Sequence, residues 1–299
     1  MSPVDPRSLV ELARSLADPG HRAAAGLYTL ERHGAFLAAV DADFVIEGVV
    51  WCERLAGNDA VAVLVRRLRQ RGVPVVAVTV EVFRGLCHGA RASGVIALLR
   101  QRWVPIAKAP PGTWVGVDRI RSPGNLGTIL RTVEACGGRG LVVVGDADPY
   151  DPQVVGSSMT GMLDLRFARA TWPELRAWGR AQNVALIAAS PTARCAWDRF
   201  DYPDNFLLWL GEERAGIGPG VAARCCGAVR IPILGRADSL NVGIAAGILL
   251  FEGLRQRRAR EESTQMSPKK SEASPPADHR PTSPPTAPRS PSTGPSTPT

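Results

Sequence analysis

Histidine is scarce in this sequence: His21, His33, His88 and His279 are the only four in 299 residues. That scarcity weighs against a histidine-dependent hydrolase and against a zinc enzyme, because both need imidazole at defined positions. Lysine is scarcer still. Of 36 basic residues, all but Lys108, Lys269 and Lys270 are arginine, a bias that a GC-rich genome explains without reference to function. The six cysteines (Cys52, Cys87, Cys136, Cys195, Cys225 and Cys226) show neither zinc-type nor redox spacing. Their one close pair is adjacent in sequence, and adjacent cysteines rarely bridge each other. No run of roughly 18 apolar residues occurs, and no apolar segment follows a basic N-terminal start. A reducing, cytoplasmic protein with no membrane span and no metal is therefore expected. No Gly-x-Gly-x-x-Gly follows a strand, which removes the signature of a dinucleotide-dependent oxidoreductase. The nearest stretch, Gly216-Ile217-Gly218-Pro219-Gly220, has no strand directly before it.

What is present begins with charge and apolar content. The formal net charge is +8 and 45% of residues are hydrophobic. The chain can bury a sizeable core, and its basic surface favours a polyanion, because neutralising phosphates releases counterions. From Ser263 to Thr299, proline, serine, threonine and alanine dominate with almost nothing apolar. Such a segment cannot offset its ordering entropy and is expected to be a disordered tail over 263–299. Without it the chain keeps a positive balance, so the charge belongs mainly to the folded part.

Two α/β regions precede the tail. In the first, Leu9, Leu12 and Leu16 mark a short helix. Phe44–Gly48, Val73–Val78 and Ser93–Leu99 read as strands, with helices around Val61–Leu68 and Val80–Leu86. Pro105, Pro110, Pro111 and Gly112 then mark a linker, giving a first domain over 1–108. In the second, over 113–260, candidate strands are Trp114–Val117, Gly140–Val144, Ala185–Ala189, Phe206–Leu210 and Val229–Ile233. Candidate helices are Leu126–Cys136, Pro173–Gln182 and Val242–Arg258. Near-continuous apolar strands separated by helices argue for a parallel sheet covered on both faces. Ligands in such folds sit beyond the carboxyl ends of the strands.

Three loops at those ends carry unusual residues. Ser122-Pro123-Gly124-Asn125-Leu126-Gly127 follows the first strand of the second domain. Asn125 reads as the N-cap of a helix starting at Leu126, with Arg131 six residues on and able to reach an anion at the helix N-terminus. Leu210-Gly211-Glu212-Glu213-Arg214-Ala215-Gly216 ends an apolar strand. Its glycine lets a ligand approach the backbone, and Glu213 lies at the sheet edge within reach of the first loop's arginine. The third loop runs from Ile231-Pro232-Ile233 through Ser239-Leu240-Asn241 into Val242–Phe251. Ser239 or Asn241 caps that helix, and its small residues (Gly243, Ala245, Ala246, Gly247) allow close packing by another helix or a crossing loop. Taken singly, each loop is equally well a capped helix, a charged turn or a tight packing face.

Together, in this order and spacing, they resemble the SpoU family, the RNA ribose 2′-O-methyltransferases with the knotted SPOUT fold. Asn125, Gly127 and Arg131 match its first motif. Gly211, Glu213 and Gly216 match the second, and Ile231, Pro232, Ile233, Ser239, Leu240, Asn241 and Val242 match the third, over residues 113 to 258. The first domain resembles the small module like ribosomal protein L30e that binds RNA in that family, through Glu47-Gly48 and Gly94-Val95-Ile96-Ala97. The sequence departs at Ser122 and Glu212, where asparagine is common, and at Gly243, often serine. It also departs at Gly156, where many relatives carry arginine.

The resemblance implies an α/β fold with a C-terminal parallel-sheet domain tied in a trefoil knot, preceded by the L30e-like α/β domain. It implies S-adenosylmethionine as cofactor, held around Gly211, Ile231, Ile233 and Leu240. RNA is the implied substrate, ribosomal in preference to transfer RNA, and a homodimer is implied through the C-terminal helix. Catalytic roles fall on Asn125, Arg131, Glu213, Ser239 and Asn241: Arg131 positions the target ribose, Asn125 and Glu213 hold Arg131, and Ser239 with Asn241 shape the hydroxyl's pocket. The rival readings are a non-catalytic RNA-binding protein that keeps this fold, a base-nitrogen methyltransferase, and a nucleotide-binding oxidoreductase.

Overall fold

The computed structural model describes residues 6–57, 59–89, 92–212 and 216–266. The expected tail from residue 267 onward lies outside them. The first half of the chain runs α1 (Pro6–Ser15), α2 (Pro19–Ala25), β1 (Leu27–Leu30), α3 (His33–Asp41), β2 (Ile46–Trp51), α4 (Glu53–Ala56), α5 (Asp59–Gln70), β3 (Val75–Ala77), α6 (Val80–Arg84) and β4 (Val95–Arg100). Its sheet has the order β1-β4-β2-β3, antiparallel except for the β2–β3 pair. The second half runs β5 (Thr113–Val117), α7 (Pro123–Ala135), β6 (Gly140–Val143), α8 (Pro152–Ser158), β7 (Arg166–Arg169), α9 (Trp172–Ala181), β8 (Ala185–Ala189), β9 (Cys195–Ala196), β10 (Phe206–Leu210), α10 (Pro219–Ala222), β11 (Gly227–Arg230) and α11 (Val242–Met266).

The second sheet is parallel throughout, in the order β7-β6-β5-β10-β8-β11-β9. Chain order reverses between β5 and β10, the place where open α/β sheets leave a crevice beyond the strand ends. The central strands β5 and β10 are buried along their whole length, which is why each reads as an uninterrupted apolar run.

Several boundaries differ from the sequence reading, each for a physical reason. The strand expected over Val229–Ile233 stops at Arg230, because Pro232 has no N–H to give a ladder. That leaves Ile231 and Ile233 in the following loop. The helix expected from Leu126 begins at Pro123 with Ser122 as its cap, and the Ser122 hydroxyl accepts from the Asn125 amide. Asn125 is thus inside the first turn and is not the N-cap. The last helix runs on to Met266, past the expected end at Arg258 and through Ser263, where the tail was expected to begin. Tertiary contacts hold this extension. Arg257 donates to the Thr113 hydroxyl at 3.2 Å, and Arg260 donates to Asp204 and to the Tyr202 carbonyl, both at 2.8 Å.

The two halves are joined through Arg22, which is 1% exposed. Its guanidinium donates to Asp148 at 2.8 and 3.1 Å and to the carbonyls of Leu16 and Ala17 at 2.8 and 2.7 Å, and it lies 3.4 Å from Asp151. Asp151 is also the N-cap of α8, accepting from the Gln153 amide. Beside this pair, Tyr150 packs on Tyr28, Trp103 and Phe167, with its hydroxyl bonded to the backbone of Arg102. No helix among the described residues is long and apolar enough to cross a membrane.

Candidate active site

Three neighbouring strands of the parallel sheet, β10, β8 and β11, end at one cavity of about 290 Å³. Its walls come from Ala189–Pro191 after β8, Leu210–Glu212 after β10, Ile231 and Ile233 after β11, and Asp238–Leu240. Ala245 and Leu249 of α11 close the remaining side. All four residues expected to hold the cofactor, Gly211, Ile231, Ile233 and Leu240, line this space, and so does Ser239. The segment after β8 and the Asp238 carboxylate carry no motif signal in the sequence, and Glu212 stands out there only as a departure from the family's asparagine. The one signal for the segment after β8 was position, since Ser190 and Pro191 follow directly on a parallel strand's carboxyl end.

Gly211 is required here, though by a different neighbour from the one expected. A Cβ at Gly211 would lie 2.4 Å from the Gly216 carbonyl carbon and 2.7 Å from the Ile217 nitrogen. The loop after β10 therefore doubles back on its own start, and Glu212 and Gly216 form a β-bridge. Glu212 is ion-paired with Arg121 at 2.5 Å, which links this loop to the one after β5. Glu213, the motif's acidic residue, lies outside the described residues.

The first and third loops meet in a side-chain bond. Asn241 donates from Nδ2 to Oδ1 of Asn125 at 2.9 Å, while its own Oδ1 accepts from the amides of Gly243 and Ile244. Asn241, not Ser239, thus caps α11 and fixes it against the first turn of α7. Small residues permit the approach: a Cβ at Gly243 would stand 3.0 Å from Thr128 Cγ2. The partner for the small-residue face of α11 is, in this region, α7. Gly127 serves α7's other side, where a Cβ would fall 1.9 Å from Ser157 Oγ of α8.

Arg131 is exposed on α7 and has no hydrogen bond or ion pair among the described residues. The expectation that Asn125 holds Arg131 is not met. Six residues along a helix place two side chains about 120° apart around the axis and about 9 Å along it. Asn125, Thr128 and Thr132 lie along the side of α7 that meets α11, whereas Arg131 is exposed away from that contact.

The cavity suits an S-adenosyl group by its chemistry. Aliphatic walls can take a neutral purine, Glu212 and Asp238 supply negative charge for a cationic group, and among the described residues no arginine or lysine lines it as a phosphate site would need. Burial pushes the Cys87 and Cys225 thiols up to about 11, so neither offers a thiolate nucleophile near neutral pH. Among the described residues no cluster could hold a metal ion.

The family model described as SpoU rRNA Methylase matches residues 112–251. The 23S rRNA (uridine(2479)-2′-O)-methyltransferase of Streptomyces viridochromogenes is 38% identical over 147 residues, 47% of this chain and 51% of that protein. An uncharacterized tRNA/rRNA methyltransferase of Synechocystis sp. is 34% identical over 203 residues, 66% of this chain and 73% of that protein. The crystal structure of an AdoMet-bound rRNA methyltransferase from Sinorhizobium meliloti is similar with a TM-score of 0.76 and 30% identity, over 84% of this chain and 96% of that one. The chain spans about half the length of several curated relatives it matches, at 51% and 48%. With the motif loops gathered at one parallel-sheet edge and this degree of likeness, the chain belongs to the SpoU rRNA methylase family.

Proposed function

We propose that this protein transfers a methyl group from S-adenosylmethionine to a ribose 2′-hydroxyl of structured RNA, ribosomal RNA in preference to transfer RNA. The observation that carries the reading is the gathering of Gly211, Ile231, Ile233, Ser239 and Leu240 around one cavity, next to the Asn125–Asn241 bond. S-adenosylmethionine, when bound, supplies an electrophilic sulfonium methyl. Backbone and aliphatic groups at Gly211, Ile231, Ile233 and Leu240 hold it, and the Asn241 cap fixes the third loop that shapes the hydroxyl's pocket with Ser239.

Arg131 is the residue assigned to the RNA. Its exposed guanidinium, unpaired among the described residues, presents a planar fork of donors for a phosphate next to the target ribose. It orients the hydroxyl and stabilises negative charge as that charge develops. A guanidinium with a pKa above about 12 stays protonated, so a phosphate oxygen or a water molecule takes the hydroxyl proton. Asn125 acts through Asn241, and Glu213 keeps the role towards Arg131 that the motif gives it.

The same reading carries the rest. The last loops, around Gly211, Ile231 and Leu240, are assigned the trefoil knot of the SPOUT fold, a rare departure from unknotted topology. Residues 1–108 form the L30e-like RNA-binding domain, 113–260 the methyltransferase domain and 263–299 a tail, with Ser263–Met266 continuing the last helix. Ile244 and Phe251, 57% and 47% exposed on α11, supply an apolar stripe for a homodimer. The protein works in the cytoplasm. A non-catalytic RNA binder would have no use for a cavity of this lining.

Calorimetric titration with S-adenosylmethionine checks the cofactor assignment. Saturable binding near one molecule per chain is expected, weakened at least tenfold in Gly211→Val, where the side chain would strike the Gly216 backbone. No heat and no thermal shift with the wild-type protein would contradict it.

A further inference from the structure

A second cleft, of about 780 Å³, opens between the first sheet and α8, on the opposite side of α7 from the cofactor cavity. Thr29 and Glu31–Gly34 line one wall, His88, Gly89 and Ser93 another, and Pro152–Ser157 of α8 a third. Nothing assigned so far uses it.

Its chemistry is built. Thr29 is 2% exposed, lines the cleft, and its hydroxyl has no hydrogen-bond partner among the described residues. Buried polar groups are nearly always paired, so an orphan hydroxyl in a cleft wall marks a place where a ligand completes the bonding. Glu31 is held in one orientation: its carboxylate accepts from the His88 amide at 3.1 Å, from His88 Nδ1 at 2.9 Å and from the Gly89 amide at 3.3 Å. His33 is anchored by Nε2, which donates to the Ser93 carbonyl. Two anchored imidazoles, a carboxylate and the exposed Arg32 thus share one concave surface, with the Thr29 hydroxyl buried in its wall.

The cleft also adjoins the site already described. Ser157 on its α8 wall donates to the Pro123 carbonyl at 3.4 Å, in the first turn of the helix that carries Asn125 and Arg131. An RNA strand over the open face of α7 therefore meets the cofactor cavity on one side and this cleft on the other.

We infer that the cleft between the first sheet and α8 takes an unpaired RNA base close to the methylated nucleotide. Sequence-specific RNA recognition targets splayed bases, which stack on histidine or arginine planes and hydrogen-bond along their edges. His33, His88 and Arg32 supply the planes, while Glu31 and Thr29 read the edge. The inference rests on the proposed methyl transfer to RNA and adds the residues that select which RNA site is used.

Gly156 provides a test, because a Cβ there meets nothing within 4 Å and a side chain can enter the cleft without disturbing the helix. Gly156→Trp and Thr29→Val are compared with wild type for methyl transfer from labelled S-adenosylmethionine to total bacterial ribosomal RNA, for cofactor affinity and for thermal stability. Gly156→Trp is expected to raise the KM for RNA about tenfold, the size of one lost base stack, at unchanged cofactor affinity. Thr29→Val is expected to raise KM while keeping or gaining thermal stability, since it removes a hydroxyl left unpaired in the free protein. Wild-type KM values in both variants, or a loss of stability in Thr29→Val, would overturn the inference. Should the wild-type protein bind ribosomal RNA but transfer no methyl, the catalytic reading fails by itself. Filter binding then decides the cleft: a tenfold weaker Kd in Gly156→Trp supports it and an unchanged Kd overturns it.

Discussion

Arg131→Ala is expected to lower the single-turnover rate of methyl transfer about 100- to 1,000-fold, the usual effect of removing one preorganised charge-stabilising group. Cofactor affinity should not change, because Arg131 is absent from the cavity lining. Stability should change little, because the side chain is exposed and makes no ion pair among the described residues. Arg131→Lys separates charge from geometry: a lysine keeps the positive charge but loses the planar fork, so an intermediate rate is expected. Rapid-quench measurement with labelled cofactor and saturating RNA reads the rate directly. Full turnover in Arg131→Ala would move the catalytic role elsewhere, most simply to the loop containing Glu213.

Arg22→Met is expected to destabilise the protein by about 3 kcal/mol, towards the lower end for breaking a buried pair. Asp148 and Asp151 keep 25% and 31% side-chain exposure, so water partly recovers their loss. The carbonyls of Leu16 and Ala17 lose a charged donor at the same time. The urea midpoint reports the change. A shift equivalent to less than about 1 kcal/mol would mean that the pair behaves like a surface ion pair. The consequence reaches the active site along a physical path. Arg22 braces the Asp151 cap of α8, α8 packs on Gly127 of α7, and α7 carries Asn125 and Arg131. Arg22→Met is therefore also expected to slow methyl transfer, though by less than Arg131→Ala.

The strands most deeply buried were the most legible. Phe206–Leu210 and Ala185–Ala189 were placed to the residue, because a strand buried on both faces has to be an apolar run bounded by polar or turn residues. Short edge elements were not. Leu27–Leu30 and Arg166–Arg169 are four-residue strands at sheet edges, and the second begins and ends with an exposed arginine. Helix Pro152–Ser158 is also too short for a helical period to stand out.

At the site, motif spacing identified the residues that meet but not always what each one touches. Asn125 and Asn241 stand 116 residues apart, and their bond forms where Gly243 sets α11 close against α7. The glycine at 211 was read as leaving room for a ligand, yet the nearest atoms are those of Gly216 and Ile217. Nor could local pattern show the Arg22–Asp148 pair, which spans 126 positions, or the cleft between the first sheet and α8.

The measurement closest to the central claim is incubation of the protein with S-adenosylmethionine labelled in its methyl group. Total ribosomal RNA and total transfer RNA serve as separate substrates, followed by digestion to nucleosides. Label in the ribosomal RNA, recovered in a 2′-O-methylated nucleoside, is the predicted result. Label on a base nitrogen, or cofactor binding with no label in either RNA, would contradict it.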